Sequence, residues 1–402
     1  MLLTIGAVFF IYILTKIYIS VMEVGYVSTQ KHSPAVILTP SNYVKAAEYK
    51  IASQRMEILS SLVEYLSFIF WVGFGLKWLA NAVTIEDMAM KSVVYVLLFG
   101  VVGFFISLPF DLYKTFILDK KFGFSNMDAK LYIVDTLKSS AMFIIFGGAI
   151  TWLISTIIIN IESWWLWGFA LIFAIMIVIN VIYPTLIAPI FNKFNILENE
   201  ELKESIEKLL SSAGLKTDGV FTIDASKRDN RLNAYFGGLG KSKRVVLYDT
   251  LIEKLTKNEL LAVLGHELGH FKHKDIIKNI AMVGTLLFLM FFIFGNLPQS
   301  LFEAISIEKT PYSIIAMFLI FSPILSLFFM PLFGMMSRSN EYHADKYGSA
   351  CQSQEELASA LQKLANENKS FPKSHPIFIF FYHSHPPLVE RLKRLGVQIN
   401  DD

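Results

Sequence analysis

The sequence predicts a membrane all-α protein: seven spanning helices carrying a polar, mainly helical domain with a small β-sheet. Three observations predict it. Hydrophobic residues make up 54% of the 402 positions and charged residues only 17%, against about a quarter charged in ordinary soluble domains. The mean hydropathy is +0.49. Seven apolar runs each approach the roughly 20 residues that a bilayer crossing needs, and two polar stretches remain between and after them.

The runs cover residues 2–21, 62–83, 93–112, 141–161, 164–187, 276–297 and 314–335. The first reads as an uncleaved span, because no basic segment precedes it and no small-residue cleavage site follows. Lys16 inside it must snorkel or face a polar interior. Loop charges set the orientation. Lys31, Lys45, Lys50 and Arg55 follow the first span, and Lys114, Lys120, Lys121, Lys130 and Lys138 follow the third. The connection around Glu162 holds no Lys or Arg, and the one after the sixth span holds only Lys309. This alternation puts the N-terminus outside and the polar stretches in the cytosol.

The chain therefore divides into residues 1–191 (spans one to five with their loops), 192–275 (the first part of a cytosolic domain), 276–337 (spans six and seven) and 338–402 (the second part of that domain). A net charge of +2 with no single basic stripe excludes a nucleic-acid partner. Cys351 is the only cysteine, so no intramolecular disulfide forms. Within 192–275, residues 200–212 have helical spacing, with Leu202, Ile206, Leu209 and Leu210 on one side. Residues 220–224, 233–236 and 244–248 read as short strands. Leu239-Gly240-Lys241-Ser242 reads as a tight turn joining the last two. Residues 257–271 read as a strong helix.

That helix carries His266-Glu267-Leu268-Gly269-His270. Positions i and i+4 share a helix face, so the two imidazoles can aim at one ion. Glu267, about 100° around the helix, can hold water beside it. Zinc on two histidines and a carboxylate keeps a position open for water, and the glutamate can act as base. The third ligand must come from elsewhere in the chain. Glu341 and Asp345 stand i and i+4 just past the last span. Spacing alone favours a solvated acidic face on a tail helix. Their place at the mouth of a span, like the first ligand pair, favours Glu341 on the metal and Asp345 on the far N–H of a ligating histidine. His343 and His273 read as surface or structural residues. Arg391 reads as a partner for a carboxylate, such as a substrate C-terminus.

Further blocks stand in order along the chain. They are Leu108-Pro109-Phe110 with Phe122-Gly123-Phe124, Tyr183-Pro184 through Phe194, Ala225-Ser226-Lys227-Arg228, Asn233-Ala234-Tyr235-Phe236-Gly237, Val246-Leu247-Tyr248-Asp249, and Ser384-His385-Pro386-Pro387 through Leu392. Together with the zinc motif they resemble the type I CAAX prenyl proteases, which are membrane-embedded metallopeptidases. The resemblance implies seven helices enclosing a water-filled chamber, capped by a zincin-like domain. It implies one zinc ion on His266, His270 and Glu341, with Glu267 as base and His385 donating to the developing oxyanion. It implies that Asn233, Ala234, Tyr235 and Phe236 pair with the backbone of a peptide carrying a C-terminal CAAX-like motif, prenylated or unmodified.

The expected activity is therefore zinc-dependent endoproteolysis near the C-terminus of such peptides. The alternative is a membrane quality-control metalloprotease of broad specificity. An intramembrane site is disfavoured by Lys254, Lys257, Lys272, Lys274 and Lys278 flanking the motif. The Ile-, Lys- and Phe-rich composition and the absence of a C-terminal retention signal favour a bacterial inner membrane over the endoplasmic reticulum.

Overall fold

The computed structural model describes residues 1–237 and 242–399. Five long helices come first: α1 (Leu2–Gln30), α2 (Pro40–Ala82), α3 (Met88–Lys121), α4 (Ala129–Asn160) and α5 (Trp164–Phe191). A polar segment follows with β1 (Phe194–Ile196), α6 (Glu200–Ser212), β2 (Lys216–Ile223), β3 (Ala234–Gly237), β4 (Ser242–Tyr248) and α7 (Lys257–Lys272). Then come α8 (Asp275–Gly295), α9 (Pro311–Cys351), α10 (Gln354–Glu367), α11 (Pro376–Tyr382) and α12 (Leu388–Arg394). Among the described residues, α1 to α5, α8 and α9 are the seven helices long and apolar enough to cross a membrane.

Each of the seven matches one predicted run, but several helices continue far beyond the apolar residues. Apolarity stops at the bilayer boundary, whereas the backbone ladder continues until a breaker residue stops it. At 1.5 Å per residue, the 41 residues of α9 measure about 60 Å, roughly twice the hydrocarbon thickness. Glu341 and Asp345 thus stand on the extension of the seventh span itself. The boundary predicted between residues 337 and 338 falls inside one continuous helix.

Helices α2 to α5 each include a single π-helical turn, at Trp71–Gly75, Lys114–Leu118, Phe143–Gly147 and Tyr183–Ile187. Such turns insert one extra residue and re-aim the helix. Lys16 is neutralised within the bundle, with its Nζ 2.8 Å from Glu64 and 3.2 Å from Glu57. Glu64 and Glu57 keep 32% and 41% of their side chains exposed. At membrane depth such groups are tolerated only on a polar inner face, which a chamber inside the helix ring requires.

The sheet order is β1-β2-β4-β3, with β2 and β4 parallel and the other pairs antiparallel. Ala234 pairs with Leu247 and Phe236 with Val245, so β3 is the edge strand. The turn predicted at Leu239 to Ser242 falls on residues 238–241, outside the described residues. β1, three residues long, is too short to show an alternating pattern and lies outside the predicted strands. The domain core gathers Ile206, Val220, Val245, Leu247, Leu260 and Leu264, all buried, from α6, the sheet and α7.

The two polar stretches meet at Glu259 on α7. Its carboxylate accepts from the Thr256 N–H at 2.7 Å, the Ser359 hydroxyl at 2.6 Å and Lys363 Nζ at 2.7 Å. Burial would raise its pKa, but these three donors outweigh burial and hold it below the usual carboxylate value. Its stabilising contribution is therefore complete above about pH 4.5, and is lost as pH falls through the depressed folded value. Glu259→Gln should lower stability by about 1–3 kcal/mol near neutrality. Thermal unfolding in detergent should show the gap closing as the pH drops below 4.5.

Candidate active site

Helix α7 begins at a complete capping box: the Thr256 side chain accepts from the Glu259 N–H, and Glu259 accepts from the Thr256 N–H. Apolar Leu260, Leu261, Leu264 and Leu268 anchor it in the core. Its other face packs on α9 through small residues. A Cβ on Gly269 would lie 2.7 Å from Ala344 Cα. A Cβ on Gly348 would lie 2.7 Å from the His266 backbone nitrogen. Glycine is needed at both positions for two helices to approach this closely. The contact lays Glu341, two turns before Gly348, across the His266 and His270 side chains.

One ligand atom from each of His266, His270 and Glu341 falls within 4.8 Å of the others. Glu341 Oε1 lies 3.2 Å from His270 Nε2, and Oε2 lies 3.5 Å from His266 Nε2. Glu341 is 2% exposed, and its Oε2 has no hydrogen-bond partner. A buried carboxylate oxygen without a donor is costly, and a cation between the three residues would satisfy it. Burial would lower the His270 imidazole, but the carboxylates of Glu341 and Asp275 outweigh it and hold its pKa up at about 9. The pocket attracts positive charge, and two imidazoles with one carboxylate fit a divalent metal. Glu267, half-buried beside His266, has its carboxyl pushed above the usual range by burial.

Each histidine has its own carboxylate behind it. Asp345 Oδ1 lies 2.8 Å from His266 Nδ1, a close approach that is off-line for a hydrogen bond. His270 Nδ1–H donates to Asp275 Oδ2 at 3.0 Å. Lys274 makes this possible by adopting a left-handed conformation at φ 57°, which turns the chain between α7 and α8 and brings Asp275 back toward His270. The sequence reading missed Asp275 as an orienting group. Its signal was an acidic residue one turn past the second histidine, at the start of a span. Asp275→Asn should weaken metal binding by about 10- to 100-fold, measured by chelator competition, without loss of fold.

Arg391 is 7% exposed and grips Asp345 through two N–H donors at 2.9 and 2.6 Å. Its Nη1 lies 3.3 Å from Glu341. Its guanidinium is therefore committed to the protein's own carboxylates, not available for a substrate C-terminus. His385 Nε2 lies 3.3 Å from Glu341 Oε1, with its side chain 63% exposed. Arg338 fixes the loop carrying His385 by donating to the His383 carbonyl at 2.6 Å and the Ile379 carbonyl at 3.1 Å. Asn233 immediately precedes β3, and its Oδ1 accepts from the Ala234 N–H at 2.9 Å. Ala234, Tyr235 and Phe236 lie on β3, which touches α7. His343 and His273 are exposed, their rings 5.3 Å apart.

Comparison with known proteins agrees with this arrangement. Residues 196–398 match the model described as peptidase family M48. Residues 26–193 match the model described as CAAX prenyl protease N-terminal, five membrane helices. CAAX prenyl protease 1 of Saccharomyces cerevisiae is 32% identical over 384 residues, covering 87% of this chain and 85% of the yeast protein. The CAAX prenyl protease 1 homolog of Oryza sativa is 37% identical over 298 residues, 72% of this chain and 69% of the rice protein. The crystal structure of S. mikatae Ste24p superposes with a TM-score of 0.91 at 28% identity, covering 98% of this chain and 99% of the other. The chain therefore belongs to peptidase family M48 and is a multi-pass membrane metalloprotease.

Proposed function

We propose that the protein is a zinc endopeptidase cleaving near the C-terminus of CAAX-type peptides, with His266, His270 and Glu341 holding one zinc ion. The observation that carries this reading is the cluster of those three side chains beside Glu267, on a helix that touches the edge strand β3. The names of the relatives supply the substrate class. When bound, the ion supplies Lewis acidity for the scissile carbonyl and acidifies water.

The chain's own groups do the rest. Glu267 takes the proton from the attacking water and returns it to the leaving amine, a task suited by a carboxyl whose pKa burial has raised. His385, exposed beside Glu341, donates to the oxyanion. The edge from Asn233 to Phe236 holds the peptide backbone by adding it as a further strand. Asp275 fixes the orientation of His270 by accepting its Nδ1–H, and Asp345 stands 2.8 Å behind His266 Nδ1. The alternation of loop charges supports a cytosolic orientation of this domain, and the Ile-, Lys- and Phe-rich composition is compatible with a bacterial inner membrane.

Matched farnesylated and unmodified CAAX peptides, incubated with detergent-purified protein of known zinc content, test the reading. Trimming confined to the C-terminal residues is expected. A rate advantage for the farnesylated peptide would show that the lipid is recognised. Scattered cleavage of unfolded membrane proteins, with no trimming of either peptide, would overturn the reading in favour of quality control.

A further inference from the structure

Away from the metal cluster, α1, α2 and α3 enclose a cavity of about 900 Å³. Its wall on α2 uses Glu48, Ala52, Arg55 and Leu59, spaced as one helix face. Its wall on α3 uses Phe110, Tyr113, Ile117 and Lys121, again one face. Polarity runs the same way on both walls. Helix α2 enters the apolar run at its C-terminal end, and α3 leaves it at its C-terminal end. Leu59 and Phe110 therefore lie on the membrane side, while Glu48 and Lys121 lie on the domain side. The end of α1 adds Lys31 and His32 at the domain level.

The charges are not balanced within the protein. Lys31 Nζ lies 2.6 Å from Glu48, so those two neutralise each other. Arg55 and Lys121 are exposed, and among the described residues neither forms a salt bridge; Glu48 feels the charge of both Lys31 and Lys121, so one carboxylate faces three cations. On the membrane side Leu59, Tyr113 and Ile117 are 56%, 43% and 56% exposed. The wall is preformed. Leu118 and Phe122 are buried against Tyr49 and Ala52, which pins the π-helical turn of α3 to α2.

We infer that this cavity binds one anionic phospholipid, its phosphate between Arg55 and Lys121 and an acyl chain along Leu59, Tyr113 and Ile117. The excess of positive charge calls for a negative headgroup, and the apolar end opens where acyl chains stand. A volume of about 900 Å³ is that of a ligand site, not of a packing defect.

Lipid retention tests this. The full chain is reconstituted in nanodiscs of phosphatidylcholine with a tenth phosphatidylglycerol, extracted in mild detergent, and its bound lipids counted by native mass spectrometry. Phosphatidylglycerol should be enriched about tenfold over its bulk share, as expected for two interfacial cations. Arg55→Gln with Lys121→Gln should return retention to the bulk ratio, with metal content per chain unchanged. Ala52→Trp, which fills the cavity and leaves the cations, should do the same. The inference is overturned if wild-type protein shows no preference, or if either variant retains as much phosphatidylglycerol as wild type. It is equally overturned if the charge variant raises KM for a farnesylated peptide while phosphatidylglycerol retention stays put, because the occupant is then substrate.

Discussion

Glu267→Gln is expected to lower peptide hydrolysis by about 10²- to 10⁴-fold, the range for loss of a general base, while metal content per chain stays at the wild-type level. The separation follows from position. Glu267 follows His266 directly, so it points about 100° away around the helix from the face shared by the two histidines. His266, His270 and Glu341 form the tight cluster without it. Glutamine keeps the shape but cannot accept and return a proton. Elemental analysis of the purified variant, with peptide cleavage measured on the same sample, checks both halves. Hydrolysis at the wild-type rate would remove Glu267 from the mechanism. Loss of metal would instead make it part of the ion's support.

The second large effect is expected at Gly348. Valine there puts a Cβ where the structure allows 2.7 Å to the His266 nitrogen, 2.9 Å to its Cα and 3.0 Å to the Ala262 carbonyl oxygen. All three are backbone atoms and cannot swing aside as a flexible side chain would. The helices must separate, and Glu341 moves with α9. Ligand distances tolerate only about 0.2 Å, so metal occupancy and hydrolysis should fall together. Stability should drop by about 1–3 kcal/mol from overpacking. Gly348→Ala gives a diagnostic sign. In an open helix it would stabilise by about 1 kcal/mol, yet here it should destabilise. Lys346→Ala, exposed on the same helix, should change neither metal content nor melting.

The parts of the site legible in the sequence are those fixed by short-range geometry. His266, Glu267 and His270 declare themselves by spacing on one helix. Glu341 and Asp345 declare themselves by spacing and by their place just past a span. The carboxylate behind His270 was not legible, because Asp275 reaches it only through the left-handed turn at Lys274. Arg391 reads as a partner for a carboxylate, but nothing local shows that the carboxylate is Asp345 of the same chain. Gly269 within the motif gave no local sign of its role, which is set by the close approach of Ala344 on α9. The fold was legible through hydropathy, which counts spans well. It marks their ends poorly, because Ser337, Arg338, Ser339 and Asn340 are polar without breaking a helix.

One consequence of the 41-residue α9 concerns where this chemistry can exist. The carboxylate that completes the cluster is rigidly continuous with a rod crossing the bilayer, and the histidines lead directly into the neighbouring rod, α8, through one turn. The lipid bilayer thus acts as part of the jig that holds the ligands in register. A fragment cut free of α8 and α9 is expected to lose the cluster, and hydrolysis is expected to vary with bilayer thickness, which assays in vesicles of different acyl length would check.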